Sequence, residues 1–197
     1  MRENDPKQVI IEHISEPLAQ IEPESILRPD IKRKGIRGVT RKGGGLGAKV
    51  QTIRFLQERT LPDLQLHAVT FENEDGQQEW WFCCVQQYLP DHWWSVGGVN
   101  FDPAEKISRE HPWVNLAGGW SKDFFWAGGC VIDNGLDVGR VRLISENGIV
   151  LEDTVQDGPA LFLSNQWVER PLQVELYDRS GKLVGMHQAL KTPEHKL

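Results

Sequence analysis

The chain has 197 residues, 39% hydrophobic and 25% charged, with a net charge of −6. That length and balance fit one medium domain, or two small ones, with a core that needs no staples. No stretch approaches the roughly 20 apolar residues of a membrane helix, so no membrane partner is expected.

Residues 1–48 open the chain as an arm. Four prolines (Pro6, Pro17, Pro23 and Pro29) precede residue 30, and RKGGGLGAK at 41–49 is a glycine-rich loop. This composition predicts an extended or partly ordered segment with one short docked element at VIIEHI (9–14). The first twenty residues are polar and hold no apolar signal region, so a cytoplasmic location is expected. Residues 28–54 carry nine of the 22 basic residues and one acid, Asp30, which makes the strip +8 and the remainder −14. Such a strip suits a polyanion or nucleic acid. It lacks aromatics interleaved for base stacking, and lying against the chain's own acidic body is the simpler use. Gly43–Ala48 matches a relaxed G-x-G-x-x-A pattern. The charged residues 32–42 before it cannot be the buried strand that a dinucleotide loop follows, so no nucleotide cofactor is expected.

At 48–59, AKVQTIRFLQER, the spacing of Val50, Ile53 and Leu56 favours a helix face over an edge strand. From residue 64 the pattern is β. LQLHAVTF (64–71) and EWWFCCVQQY (79–88) flank a turn at Asp75–Gly76. The second run is apolar on both faces over 80–85, as in a central strand covered on both sides. Glycine pairs then recur at Gly97–Gly98, Gly118–Gly119 and Gly128–Gly129, each near a tryptophan, where a large ring can lie flat on bare backbone. FDPAEKISREHP (101–112) reads as a surface loop with one helical turn. The last third offers short strands at 124–133, 140–146, 149–155, 160–164, 172–178 and 183–190, with Asn147–Gly148, Asp157–Gly158 and Ser180–Gly181 between some of them. The expected fold is therefore mainly β. It is an antiparallel sandwich, immunoglobulin-like in general pattern, with an N-terminal arm and at most one or two short helices. A domain at 49–190, divisible into layers 64–132 and 133–190, would follow the arm and precede a tail at 191–197.

Seven of the eight tryptophans fall at 80–126. Neighbouring residues on a strand point to opposite faces, so Trp80–Trp81 and Trp93–Trp94 must each divide between two sides. Either the arm or the 101–112 loop shelters the second side, or an aromatic surface is left for a ligand. The candidate ligand-binding residues are Trp81, Trp94, Trp113, Trp120, His92 and His111. Flat rings stack on sugars and on side chains, so a carbohydrate or a protein is the expected partner. Cys83, Cys84 and Cys130 are too few and wrongly spaced for structural zinc, and read as buried apolar groups. Asp91–His92 and Glu110–His111 are acid–histidine neighbours, yet no nucleophile motif or metal-ligand spacing accompanies them. Asp133–Asp137 is oxygen-rich but lacks the closing glutamate of a calcium loop. No metal or cofactor is expected. The leading function is a non-catalytic binding or interaction module using the Trp/Gly-rich region. A hydrolase or metal-dependent enzyme at the His92 and His111 loops comes second, and a polyanion binder using 28–54 third.

Overall fold

The computed structural model describes residues 5–16, 46–90, 92–101, 111–121, 123–156 and 158–190. Among these the protein is mainly β, with one α-helix and eleven antiparallel strands in three sheets. The helix α1 spans Pro6–Ser15. Strands β1 (Arg54–Leu61), β2 (Leu64–Glu72), β3 (Gln78–Leu89) and β4 (His92–Phe101) form the first sheet in that order. The second holds β5 (Trp113–Trp120), β6 (Phe125–Ile132) and β9 (Pro159–Ser164). The third runs β11–β10–β7–β8, from Leu183–Ala189, Leu172–Asp178, Val138–Ser145 and Val150–Thr154.

The hairpin turns follow from turn chemistry. Between β2 and β3 the Asn73 side chain accepts from Gln77 N (2.9 Å), and Gly76 takes φ +79°. Between β7 and β8, Gly148 at φ +81° donates to Ser145 O (3.0 Å), as an Asn-Gly turn requires.

The 48–59 stretch departs from the helical expectation. It contains one 3-10 turn, Val50–Thr52, and then strand β1. β1 pairs with β2 from Arg54↔Thr70 to Leu61↔Leu64, across the turn at Pro62–Asp63. Val50 and Leu56, two of the three supposed face residues, are exposed. The alternate set Phe55, Gln57, Arg59 and Leu61 is half-buried instead. Pairing along a whole neighbouring strand outweighs three apolar residues at helical spacing. The surface loop expected at 101–112 falls mostly outside the described residues.

The sheets stack in layers, each interface filled by one alternating set of side chains. Between the third and second sheets lie Val141, Leu143, Val174 and Leu176 against Val114, Leu116, Phe125 and Phe162. Between the second and first lie Trp126 and Leu161 against Leu66, Ala68, Phe82 and Cys84. The outer face of the first sheet buries Val69, Phe71, Trp81, Cys83 and Val85 beneath Ile10 and Ile14 of α1. β3 is thus covered on both sides, even residues inward and odd residues toward α1.

A buried carboxylate ties the layers at one edge. Asp153 of β8 is 3% exposed and accepts from Gln57 Nε2 (3.0 Å), Leu161 N (2.7 Å) and Thr154 N (3.0 Å), and pairs with Arg59. One side chain thereby joins β1, β8 and β9 from three different sheets.

Candidate functional site

Trp81 is the centre of an aromatic constellation that borders a cavity. It lies on β3, directly across from Asn100 of β4, and Cys83 lies across from Gly98. Its indole rests on Gly98: a Cβ added there would stand 2.6 Å from Cε2 and 3.0 Å from Nε1, and nearer still to Cζ2. Only glycine lets this ring lie flat. Trp126 uses the same device on the opposite face, where its ring is held between Gly97 of β4 and Gly119 of β5. Gly97, Gly98 and Gly119, from two of the three glycine pairs, are therefore seats for indoles contributed by other strands, while Gly128 of the third lies against Phe82.

The helix α1 covers the α1-facing side of β3. The Asp5 side chain caps it by accepting from Lys7 N (3.0 Å), with Pro6 in the first turn. Ile10 and Ile14 are fully buried, His13 stands 6.1 Å from the Trp81 ring, and Lys7 pairs with Glu58 at 3.1 Å. The end of the helix then fixes the returning chain. Leu46 N and Ala48 N both donate to Ile14 O (3.1 and 2.9 Å), and Gly47 N donates to Glu16 O (2.9 Å). Leu46 is thereby set beside Trp81.

Where β4 and β5 approach at the edges of two sheets, a cavity of about 610 Å³ remains, lined by Leu46, Trp81, Gly98, Val99, Asn100, Phe101 and Ala117. Among the described residues that line it, no side chain is charged. Trp81 is 8% exposed, and its Nε1 is buried without a hydrogen bond among the described residues. The Cys83 sulfur, a weak acceptor, lies within reach of this N–H, and that contact opposes part of the effect of burial on the thiol. The Asn100 amide donates to Glu79 Oε2 at 3.5 Å.

Below α1 lies a second polar group, His67, which is fully buried on β2. Its Nε2 meets Gln65 Oε1 at 3.0 Å, its Nδ1 is 3.7 Å from Glu58, and Phe55 packs edge-on at 5.6 Å. Burial pulls its pKa from 6.5 down to about 4, against the opposing pull of Glu58. Burial likewise pushes the thiols up, Cys83 to about 11, Cys130 to about 12 and Cys84 higher, so all three are neutral and unreactive near neutral pH.

The six residues singled out from sequence do not converge. Trp81 lines the cavity. Trp94 is 59% exposed beside Tyr88, 6.2 Å away near the tip of the β3–β4 hairpin. Trp113 stacks on His187 of β11 at 3.4 Å. Trp120 packs on Phe125, donates to Val168 O (3.1 Å) and carries the Arg170 guanidinium over its ring. His92 Nδ1 contacts Pro90 O at 3.3 Å, and the His111 carbonyl accepts from Asn134. Among the described residues no three His, Cys, Asp or Glu side chains gather to hold a metal ion. Asp133–Asp137 forms a turn in which the Asp133 carboxylate accepts from Gly135 N (3.0 Å). Of the basic strip, Lys49 pairs with Glu72 and Arg54 is exposed on β1, while residues 28–45 lie outside the described part. No described helix is long and apolar enough to cross a membrane.

Sequence reasoning missed Leu46, Val99, Asn100, Phe101 and Ala117 as neighbours of Trp81. The available signal was the glycine pairs, which mark where rings press on backbone but not whose rings they are. Comparison with known proteins finds no matching family model, no matching curated protein and no matching solved structure.

Proposed function

We propose that this chain is a non-catalytic binding module that holds a small molecule in the cavity between β4 and β5. The observation that carries this reading is the cavity itself: about 610 Å³, within the Trp/Gly-rich region, walled by Trp81, Phe101, Val99, Leu46 and Ala117. Its size falls in the range of roughly 300–1,000 Å³ typical of ligand pockets, and its open wall mixes those apolar side chains with Gly98 and the Asn100 amide. Among the described residues that line it none is an acid, a base or a nucleophile, which supports a reading of binding over turnover. The walls are also held firmly, since Trp81 is seated on Gly98 and Leu46 is tied to the end of α1. A site fixed in advance loses little freedom on binding.

Neutral aromatic fluorophores titrated into the protein test this reading. Saturable 1:1 binding is expected, abolished by Ala117→Leu, which fills the cavity, and unchanged by His92→Ala or His111→Ala. Binding that survives Ala117→Leu in a folded protein would place the ligand elsewhere and overturn it.

A further inference from the structure

We infer that α1 is an acid-released cover: a proton on His67 frees the helix from the outer face of the first sheet while the sheets themselves stay folded. This stands apart from the ligand reading above and survives its failure. His67 is fully buried on the face of β2 that α1 covers, and its Nδ1 makes no hydrogen bond among the described residues. In register it stands between Glu58 of β1 and Cys83 of β3. Phe55 packs edge-on at 5.6 Å, and Lys7 Nζ, from the start of α1, lies 5.4 Å from the centre of that same ring. Lys7 also pairs with Glu58 at 3.1 Å. Among the described residues, the charged or titratable groups facing the imidazole are therefore Glu58, Cys83, Lys7 and Asp5. His13, further along the helix, stands by Trp81 instead.

A cation at this place has two courses. If Glu58, 3.7 Å from Nδ1, turns toward it, Lys7 loses its partner and α1 one of its ties. If Glu58 stays with Lys7, an unmatched charge remains buried near Lys7 and the positive end of the helix dipole, with the Asp5 cap as the acid there. Either course weakens the docking of α1, and lifting the helix lets water reach the ring. The helix is otherwise held by Ile10 and Ile14 and by the bonds from Leu46 and Ala48 to Ile14 O. Opening these few contacts is less costly than unfolding three sheets. Once released, ten residues are too few to stay helical alone in water, so release shows as melting of α1. The difference between 6.5 for an open ring and about 4 for the covered one shifts the closed–open balance by up to about 300-fold.

Amide hydrogen exchange of the full chain between about pH 7.5 and about pH 4, corrected for the intrinsic effect of pH, tests this. Protection of the α1 amides is expected to fall by up to about 300-fold, and to stay below that of β7 and β10 at every pH. His67→Gln, which takes up no proton there, should leave only the smaller fall owed to the carboxylates and His13. Lys7→Met, at a half-exposed position, frees Glu58 for the imidazole and should also shrink the fall. A fall in His67→Gln as large as in the wild type would overturn the inference. So would one shared protection for α1 and β10 at every pH, because the helix would then leave only with the whole fold. Should His67→Gln not fold, Lys7→Met decides: a reduced fall supports the inference and an undiminished one refutes it.

Discussion

Acidification should destabilise the native chain through His67. The imidazole is fully buried between β2, Phe55 and the base of α1, and burial holds its pKa near 4 instead of 6.5. Glu58 at 3.7 Å and, more weakly, Asp5 oppose that shift, Lys7 adds to it, and Gln65 meets Nε2 without carrying charge. Above pH 6.5 both native and unfolded chains hold the ring neutral, and His67 adds no pH dependence. Between 6.5 and about 4 the unfolded chain binds a proton that the native chain refuses, so stability falls with falling pH. A gap of about 2.5 units at about 1.4 kcal/mol per unit gives a loss of about 3 kcal/mol, complete near pH 4. Urea unfolding at a series of pH values, for the wild type and His67→Phe, isolates this share from the carboxylates that titrate over the same range. The wild-type curve should fall about 3 kcal/mol further than the variant's between about pH 7.5 and pH 4. Parallel curves would mean that His67 is protonated without cost in the native state, and would refute the account of its burial.

Three other outcomes follow from particular contacts. Gly98→Ala drives a Cβ into the Trp81 indole and should cost about 1–3 kcal/mol by urea unfolding, with a change in near-UV dichroism; an unperturbed spectrum would show that the ring has room. Asp153→Asn leaves Arg59 without its carboxylate and weakens the bonds from Gln57 and Leu161, and should cost about 3 kcal/mol; a loss under about 0.5 kcal/mol, the scale of a surface change, would contradict its role as a brace. Cys83 and Cys84 should resist iodoacetamide in the native protein at about pH 8 and react on unfolding, because burial keeps both thiols protonated; rapid native labelling followed by mass spectrometry would contradict that.

Much of the sheet structure was legible because its signals are local. β2 and β3 announce themselves by apolar runs around Asp75–Gly76, and β7, β8, β10 and β11 by alternation and Gly-bearing turns. β4 and β5 were hidden for a physical reason. Gly97, Gly98, Gly118 and Gly119 look like chain breakers, yet three of them lie against indoles, Trp81 beside Gly98 and Trp126 beside Gly97 and Gly119. The pressure that selects glycine there comes from rings on other strands. β1 failed for a related reason, since its identity rests on pairing with β2 and on Asp153, almost a hundred residues away. At the site, the divergence of Trp80 and Trp81 was readable from the strand period alone. Trp80 packs toward Phe82 and Phe101, and Trp81 toward α1. That Leu46 and Ala117 meet Trp81 around a cavity depends on how α1 and the second sheet dock, which no local pattern encodes.

The most direct measurement of the central claim is a residue-by-residue map of amide and indole NMR shifts during titration with a neutral aromatic fluorophore. Saturable changes centred on Leu46, Trp81, Gly98, Phe101 and Ala117 are expected. Changes centred on Tyr88 and Trp94 at the exposed hairpin, or on His92 and His111, with the cavity residues unmoved, would contradict it.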